Sequence, residues 1–367
     1  MRSVFAVGRG QYENVGDIIL RRQLLDWVRP DDGTLHVYVG ASPDGYDEGL
    51  GLQPGDLVYR SFLAWYGAAL RAAARGRAAY VFKPGEIQLT LVGMKEHLSV
   101  LPLLGVLRTR GGRAVRAGVG SRNFAAVPRA LMRPSIALSD LTLWRDIRTA
   151  AYMRAGAPMP DLAFGEGAPD ELVAEFADPD AATTAARDVL VVSLRADEPA
   201  PVYPSEAWLA GVRAYAERHG LEIWAVTQVH VDNERSLRLA GDLGGRALTW
   251  DALRDHDRQE ARLRELYRRT AIALSDRLHV VIAAYTEGAV PVGTLADASD
   301  KIDRHFATIG VDGVTIRSDA TDASEVTTAL DGLAARRTEL FDALASARIE
   351  LGLVRERVQS TLAEVRA

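Results

Sequence analysis

Asp276-Arg277-Leu278-His279 brings a carboxylate, a guanidinium and an imidazole within four residues, directly before the apolar run Val280-Val281-Ile282-Ala283-Ala284. A helix starting there offers unpaired backbone N–H groups and the positive end of its dipole, so its N-terminus favours an anion. Arg277 adds a planar fork suited to gripping a carboxylate or phosphate through two hydrogen bonds. His279 can exchange a proton near neutral pH. The plainer reading of these residues is an arginine salt-bridged to Asp276 and a histidine capping the helix.

Two further places carry usable chemistry. Arg195 follows the apolar run Val189-Leu190-Val191-Val192-Ser193-Leu194, and the carboxyl end of a strand is where ligands bind in open α/β sheets. A salt bridge from Arg195 to Asp197 or Glu198 is the competing role. His230 and Asp232 stand two residues apart after another apolar run, where a carboxylate could orient an acid or base, or where both simply give a loop its polarity. The chain has no cysteine, and its seven histidines form no HExxH or other tight ligand spacing. No metal site is expected from such a pattern.

The elements that must position these residues alternate. Val4–Val7 is a short apolar run followed by Gly8, Gly10 and Gly16, after which Ile18, Ile19, Leu24, Leu25 and Val28 recur at helical spacing. Apolar runs return at 34–39, 56–59 and 78–82, then at 113–119 after a helical stretch over 95–109. Residues 165–188, rich in glycine, acids and alanine, break the pattern and read as a connection. A second series begins at 188–194 and continues with a helix over 205–219, a strand at 221–226, a helix at 234–243 and a strand at 246–248. It then gives one helix over 259–274, another at 279–286 and a strand at 290–293. Leu351, Val354, Val358, Leu362 and Val365 fall at three- and four-residue spacing, which predicts C-terminal amphipathic helices within 324–367.

This alternation predicts an α/β protein with two Rossmann-like domains. The expected boundaries are 1–168 and 186–318, followed by a helical tail over 319–367 that packs across the domains or onto a second copy. The 367 residues exceed the size at which single cores usually stop growing, which fits two domains. A content of 48% hydrophobic and 25% charged residues fits a folded chain. A net charge of −5 gives no electrostatic footprint for nucleic acid. The absence of cysteine, of a signal-peptide pattern at the start and of any apolar stretch of about 20 residues suggests a cytoplasmic protein.

Several short patterns occur in a telling order. They are Asn14-Val15-Gly16-Asp17; Gly118-Val119-Gly120; Leu143-Trp144-Arg145-Asp146 leading through Gly156 to Pro160-Asp161-Leu162-Ala163-Phe164; and Val191-Val192-Ser193-Leu194-Arg195. Arg277-Leu278-His279 follows, then Ala283-Ala284, Gly288, Pro291-Val292 and Asp300-Lys301-Ile302 with Phe306 and Gly310. This ordered set, over roughly residues 1–315, resembles the polysaccharide pyruvyl transferase family. The resemblance implies the two-domain fold called GT-B, no cofactor, and phosphoenolpyruvate as the donor whose enolpyruvyl group becomes a ketal on sugar hydroxyls.

On that resemblance Arg277 and His279 are the expected catalytic pair, as anion clamp and as proton donor or phosphate partner. Arg195, Lys301 and His230 would complete the donor pocket, while Asn14, Gly16, Asp17 and Arg145 would lie on the acceptor side. The expected partners are phosphoenolpyruvate and a sugar or lipid-linked glycan, the precursor of a cell-surface polysaccharide. Peripheral membrane association and self-association through the C-terminal helices stay open. Tyr59–Gly67 departs from the family pattern, because bulky residues stand where it has a glycine cluster, and this implies a reshaped acceptor face. The rival readings are a nucleotide-sugar glycosyltransferase of the same fold, or a binding protein of that fold without catalysis.

Overall fold

Short apolar strands, most of them followed by a helix, build two all-parallel sheets in the computed structural model. The model describes residues 2–43, 45–196, 202–251, 255–296 and 298–365. The chain divides into two units: one of Met1–Tyr12, Asp17–Leu162 and Ile349–Ala367, and one of Glu13–Gly16 and Ala163–Arg348.

The elements up to residue 158 run β1 (Arg2–Val7), α1 (Val15–Val28), β2 (Gly33–Tyr38), α2 (Tyr46–Gly49), β3 (Leu57–Tyr59), α3 (Phe62–Ala74), β4 (Ala78–Val81), β5 (Gly85–Ile87), α4 (Met94–Ser99), α5 (Leu101–Arg110), β6 (Arg113–Ser121), α6 (Ala126–Ala137), β7 (Leu141–Trp144), α7 (Ile147–Met153) and β8 (Ala157–Pro158). The sheet order is β3-β2-β1-β4-β6-β7-β8, with β5 paired to the end of β6. The helical stretch read over 95–109 is two helices, α4 and α5, which break at Val100 just before Pro102. A proline lacks the N–H that a continuing helix needs and fits only a first turn.

Tyr59–Gly67, read as a reshaped ligand face, is the end of β3 and the first half of α3. Ser61 caps the helix by accepting from Ala64 N. Trp65 is fully buried and donates to the His36 carbonyl at 3.3 Å. Phe62, Trp65 and Tyr66 pack with Tyr38 and Tyr80 in one aromatic core cluster. Within the run Trp65 alone is fully buried; Tyr59, Phe62 and Tyr66 are half-buried against the core, and Arg60 and Leu63 face solvent.

The second series runs α8 (Asp170–Phe176), α9 (Ala182–Ala185), β9 (Val189–Ser193), α10 (Glu206–His219), β10 (Glu222–Val226), α11 (Asn233–Leu243), β11 (Arg246–Leu248), α12 (His256–Arg269), β12 (Thr270–Ser275), α13 (Leu278–Thr286), β13 (Val290–Leu295), α14 (Lys301–Thr308), β14 (Thr315–Arg317), α15 (Ala323–Ala335) and α16 (Arg337–Ala363). Its sheet order is β11-β10-β9-β12-β13-β14. The single helix read over 259–274 is corrected here: it ends at Arg269 and continues without a turn into β12, a central strand. Thr270 already has extended backbone (φ −80°, ψ 124°). The four-residue apolar run Ala271–Leu274, one residue after the helix, carries no periodicity to separate it from that helix.

The second sheet has the doubly wound order 3-2-1-4-5-6, the first has the same winding with β8 added as a further edge strand, and the two units are Rossmann-like α/β domains. In the second, β9 is buried along its whole length, as a strand covered on both faces must be. α13 is apolar all round, with Val280–Tyr285 buried. Its C-terminus is gripped by cations: Arg187 donates to the Glu287 carbonyl at 2.7 Å, Arg337 to the Gly288 carbonyl at 2.8 Å, and Arg264 to the Glu287 carboxylate at 3.0 Å. Positive charge at a helix C-terminus satisfies its last carbonyls and its dipole. The amphipathic tail is present as α15 and α16, with Leu351, Val354, Val358 and Leu362 buried.

Candidate functional site

In a doubly wound sheet the chain winds outward in both directions from two adjacent central strands, and the gap between their carboxyl ends receives ligands. In the second unit those strands are β9 and β12. Ser193-Leu194-Arg195-Ala196 leaves one and Ser275-Asp276-Arg277 leaves the other, so Arg195 and Arg277, 82 residues apart in sequence, stand on the same edge of the sheet.

Two carboxylates organise this edge. Asp276 accepts the Arg195 N–H at 2.9 Å and lies 3.4 Å from the Arg195 Nε. Asp232, fully buried at the start of α11, accepts the Ala196 N–H at 2.7 Å. It also accepts both forks of Arg277, from Nε at 2.6 Å and from Nη2 at 2.8 Å. The sequence paired Arg277 with Asp276 as the plainer possibility. The fold instead gives Arg277 to Asp232 and Asp276 to Arg195; Asp197 and Glu198 lie outside the described residues. A buried carboxylate with three charge-assisted or backbone donors is well satisfied, so the guanidinium of Arg277 is committed to it.

Asp276 is the residue that sequence reasoning left aside. Burial raises its carboxyl to about 6, against the pull of the Arg195 amide and of the Arg195 and Arg277 charges, and the nearby Asp232 adds to the rise. A carboxyl that titrates near neutrality on a ligand-binding edge is a candidate acid or base. No spacing signal foretells it, since it depends on how deeply β12 lies in the sheet.

The segment Glu13–Gly16 belongs to this unit and closes over the same edge. Asn14 forms an antiparallel bridge with Val229, the Val15 N–H donates to Gln228 at 3.2 Å, and the His230 N–H donates to Glu13 at 3.1 Å. The His230 Nδ1 lies 3.4 Å from the Glu13 carboxylate. Asn14 Oδ1 accepts the Gly16 N–H at 3.0 Å. A methyl group on Gly16 would sit 2.6 Å from the His279 Cβ, so only glycine lets the two approach. Asn14, Gly16, His230, Arg277 and His279 are therefore brought together, with Arg195 beside them through Asp276. Lys301 is the first residue of α14, two residues beyond Ser299, and its carbonyl is 2.6 Å from the His305 Nδ1.

Two predicted site residues lie in the first unit. Asp17 accepts the Gln11 N–H at 3.0 Å and pairs with Arg21 at 3.2 Å. Arg145 is 1% exposed, held by Asp161 at 3.2 Å with Glu86 at 3.8 Å, while its neighbour Asp146 caps α7 by accepting from Thr149 N at 2.7 Å. Gly120 leaves the room Arg145 needs, since a methyl there would be 2.6 Å from its Nε. Among the described residues no group of three or more His, Cys, Asp or Glu is placed to hold a metal ion.

No protein-family model and no curated protein sequence matches the chain. Solved structures do. A co-structure of Staphylococcus aureus MnaA with UDP aligns with a TM-score of 0.57 at 12% identity, covering 98% of this chain and 95% of that one. HepE of Anabaena, in complex with UDP and glucose, gives 0.56 at 10% identity, covering 99% and 100%. The UDP-GlcNAc 2-epimerase of Neisseria meningitidis, bound to UDP-GlcNAc, gives 0.55 at 10% identity, again covering 99% and 100%. Likeness at such identities is likeness of fold, and the fold is that of the GT-B class.

Proposed function

We propose that the chain is an enzyme that transfers a group from a phosphate-bearing donor to a sugar or glycan hydroxyl, receiving the donor where β9 and β12 end. One observation carries this reading. Arg277-Leu278-His279 and Asn14-Val15-Gly16, some 260 residues apart, converge on a doubly wound sheet's ligand edge at the N-terminus of an apolar helix. Backbone N–H groups there favour a phosphate. Asp276 serves as the proton-exchanging group, and Arg277 fixes Asp232 and through it the Ala196 loop.

Two donors follow from different observations. The fold is shared with proteins whose structures hold UDP or UDP-GlcNAc, which supports a nucleotide-sugar donor, and the comparisons favour this reading. The ordered motifs support phosphoenolpyruvate instead. That donor needs a proton delivered to its methylene carbon as one hydroxyl attacks the adjacent carbon, after which a second hydroxyl replaces the phosphate to close the ketal. Of the two protons the hydroxyls lose, one balances that on the methyl carbon and one leaves with phosphate, a transfer for Asp276 or His279.

Calorimetric titration of the purified chain with phosphoenolpyruvate, UDP and a panel of UDP-sugars separates them. Saturable binding of UDP or a UDP-sugar establishes the first donor, and binding of phosphoenolpyruvate alone establishes the second. Silence towards all of these would refute a phosphate-donor transferase.

A further inference from the structure

We propose that one face of the first unit, formed by residues 88–93, α4, α6 and the start of α7, docks on an anionic lipid bilayer. The inference holds for either donor. Surface helices of folded proteins hide an apolar stripe and show charge outward. On α6 the outward positions are instead Ala126, Val127, Ala130, Leu131 and Pro134, interrupted only by Arg133. Leu91 and Val92 are 69% and 83% exposed, and Leu98, Val127 and Ile147 stand out from neighbouring elements.

These side chains belong to one layer. Met94 of α4, Met132 of α6, Met153 of α7 and Leu89 share a single core cluster, so the exposed residues beside them line its outer surface. The Asn123 side chain fastens the 88–93 segment by accepting the Leu89 N–H at 2.7 Å and donating to its carbonyl at 2.9 Å. The segment is thus held open with its leucine and valine in water. Exposed apolar groups gathered in one place mark an interaction surface.

Charge selects the occupant. On the face itself Lys95, Arg129, Arg133 and Arg148 stand against Glu96 alone, and Glu96 pairs with Lys83, whereas the chain as a whole has a net charge of −5. Lys95 and Arg133 are exposed among the apolar residues, and no described carboxylate pairs with either. Arg148 lies over Phe124 with its guanidinium 4.3 Å from the ring centroid. Basic residues interleaved with exposed aliphatic ones suit the headgroup boundary of an anionic leaflet, where the cations meet phosphates and the aliphatic groups enter the acyl region. Among the described residues no helix is long and apolar enough to cross a membrane, so the contact is interfacial.

The test is co-sedimentation of the full chain with vesicles of phosphatidylcholine alone or mixed with phosphatidylglycerol, across a salt series. We expect binding to the mixed vesicles that weakens as salt rises, and little to phosphatidylcholine. Removing one basic residue at an anionic surface lowers partition roughly fivefold, so Lys95→Glu with Arg133→Glu should lower it at least tenfold. Val92→Asp with Val127→Asp should also release the chain at low salt while leaving its melting temperature unchanged, as expected at exposed positions. Failure to bind the mixed vesicles, or binding untouched by both double variants, overturns the proposal. So does dimerisation without lipid that either double variant abolishes, because that outcome assigns the face to a second copy.

Discussion

Replacing Asp276 by Asn tests the electrostatics of the candidate site through a slope that packing changes do not imitate. Burial raises the folded-state carboxyl from 3.8 to about 6. A carboxyl raised on folding binds its proton more tightly in the native state, so its contribution is present in full below the unfolded value and is lost as pH climbs through the folded one. A shift of about two units amounts to about 3 kcal/mol at roughly 1.4 kcal/mol per unit. About half of that loss falls between pH 5 and pH 8. Asn can still accept the Arg195 N–H through its oxygen, but it turns an amide or a neutral oxygen towards the Arg195 guanidinium. That mismatch costs the same at every pH in this range and shifts the variant's curve as a whole. Urea denaturation of both proteins from pH 4 to pH 8 should therefore show Asp276→Asn gaining on the wild type by about 2–3 kcal/mol over the range. A difference independent of pH would refute the raised carboxyl and remove Asp276 as a proton carrier. If catalysis uses this proton, kcat of the wild type falls or rises through the same window and that of the variant does not.

Other outcomes follow from the same geometry. Arg277→Ala leaves Asp232 buried without its guanidinium and should cost about 3–5 kcal/mol, whereas Arg277→Ala with Asp232→Asn should recover at least half, read as denaturation midpoints; simple additivity of the two would show that the pair does not interact. Gly16→Ala forces a methyl against His279 and should cost about 1–3 kcal/mol, seen as a lower melting temperature, and an unchanged one would mean the approach is looser than described.

Most of the architecture was legible because it rests on local alternation: apolar runs such as Val189–Ser193 and Ala78–Val81 read as strands, and the helices between them carry caps and periodic faces. What escaped depends on neighbours distant in sequence. β12 was absorbed into the preceding helix because Arg269-Thr270 offers neither glycine nor proline, and with it went the pair of central strands that defines the ligand edge. The motif residues Arg277, His279, Asn14 and Gly16 were named from their types and order, yet the exchange of partners between Asp232 and Asp276 was not. Which carboxylate a guanidinium takes is settled by sheet register and helix placement, and four consecutive residues do not encode those. In the bulky Tyr59–Gly67 run, read as a reshaped ligand face, Trp65 turns into the core while Leu63 turns to solvent. Side-chain size is written in the sequence, but whether it points at a cavity or a core is not.

The assignment of Glu13–Gly16 to the second unit, while both of its flanks belong to the first, bears on how this chain can be cut and how it can have changed. With α16 starting in the second unit and finishing in the first, the backbone passes between the units four times. A fragment spanning 163–348 would lack the four residues that bridge Val229 and lie against His279, so half of the chain is not a spare part. Exchange of the second unit's sheet edge between relatives, by recombination or in the laboratory, has to carry a tetrapeptide near the amino terminus along with the C-terminal sheet. A swap that leaves it behind inherits a helix N-terminus with the wrong lid.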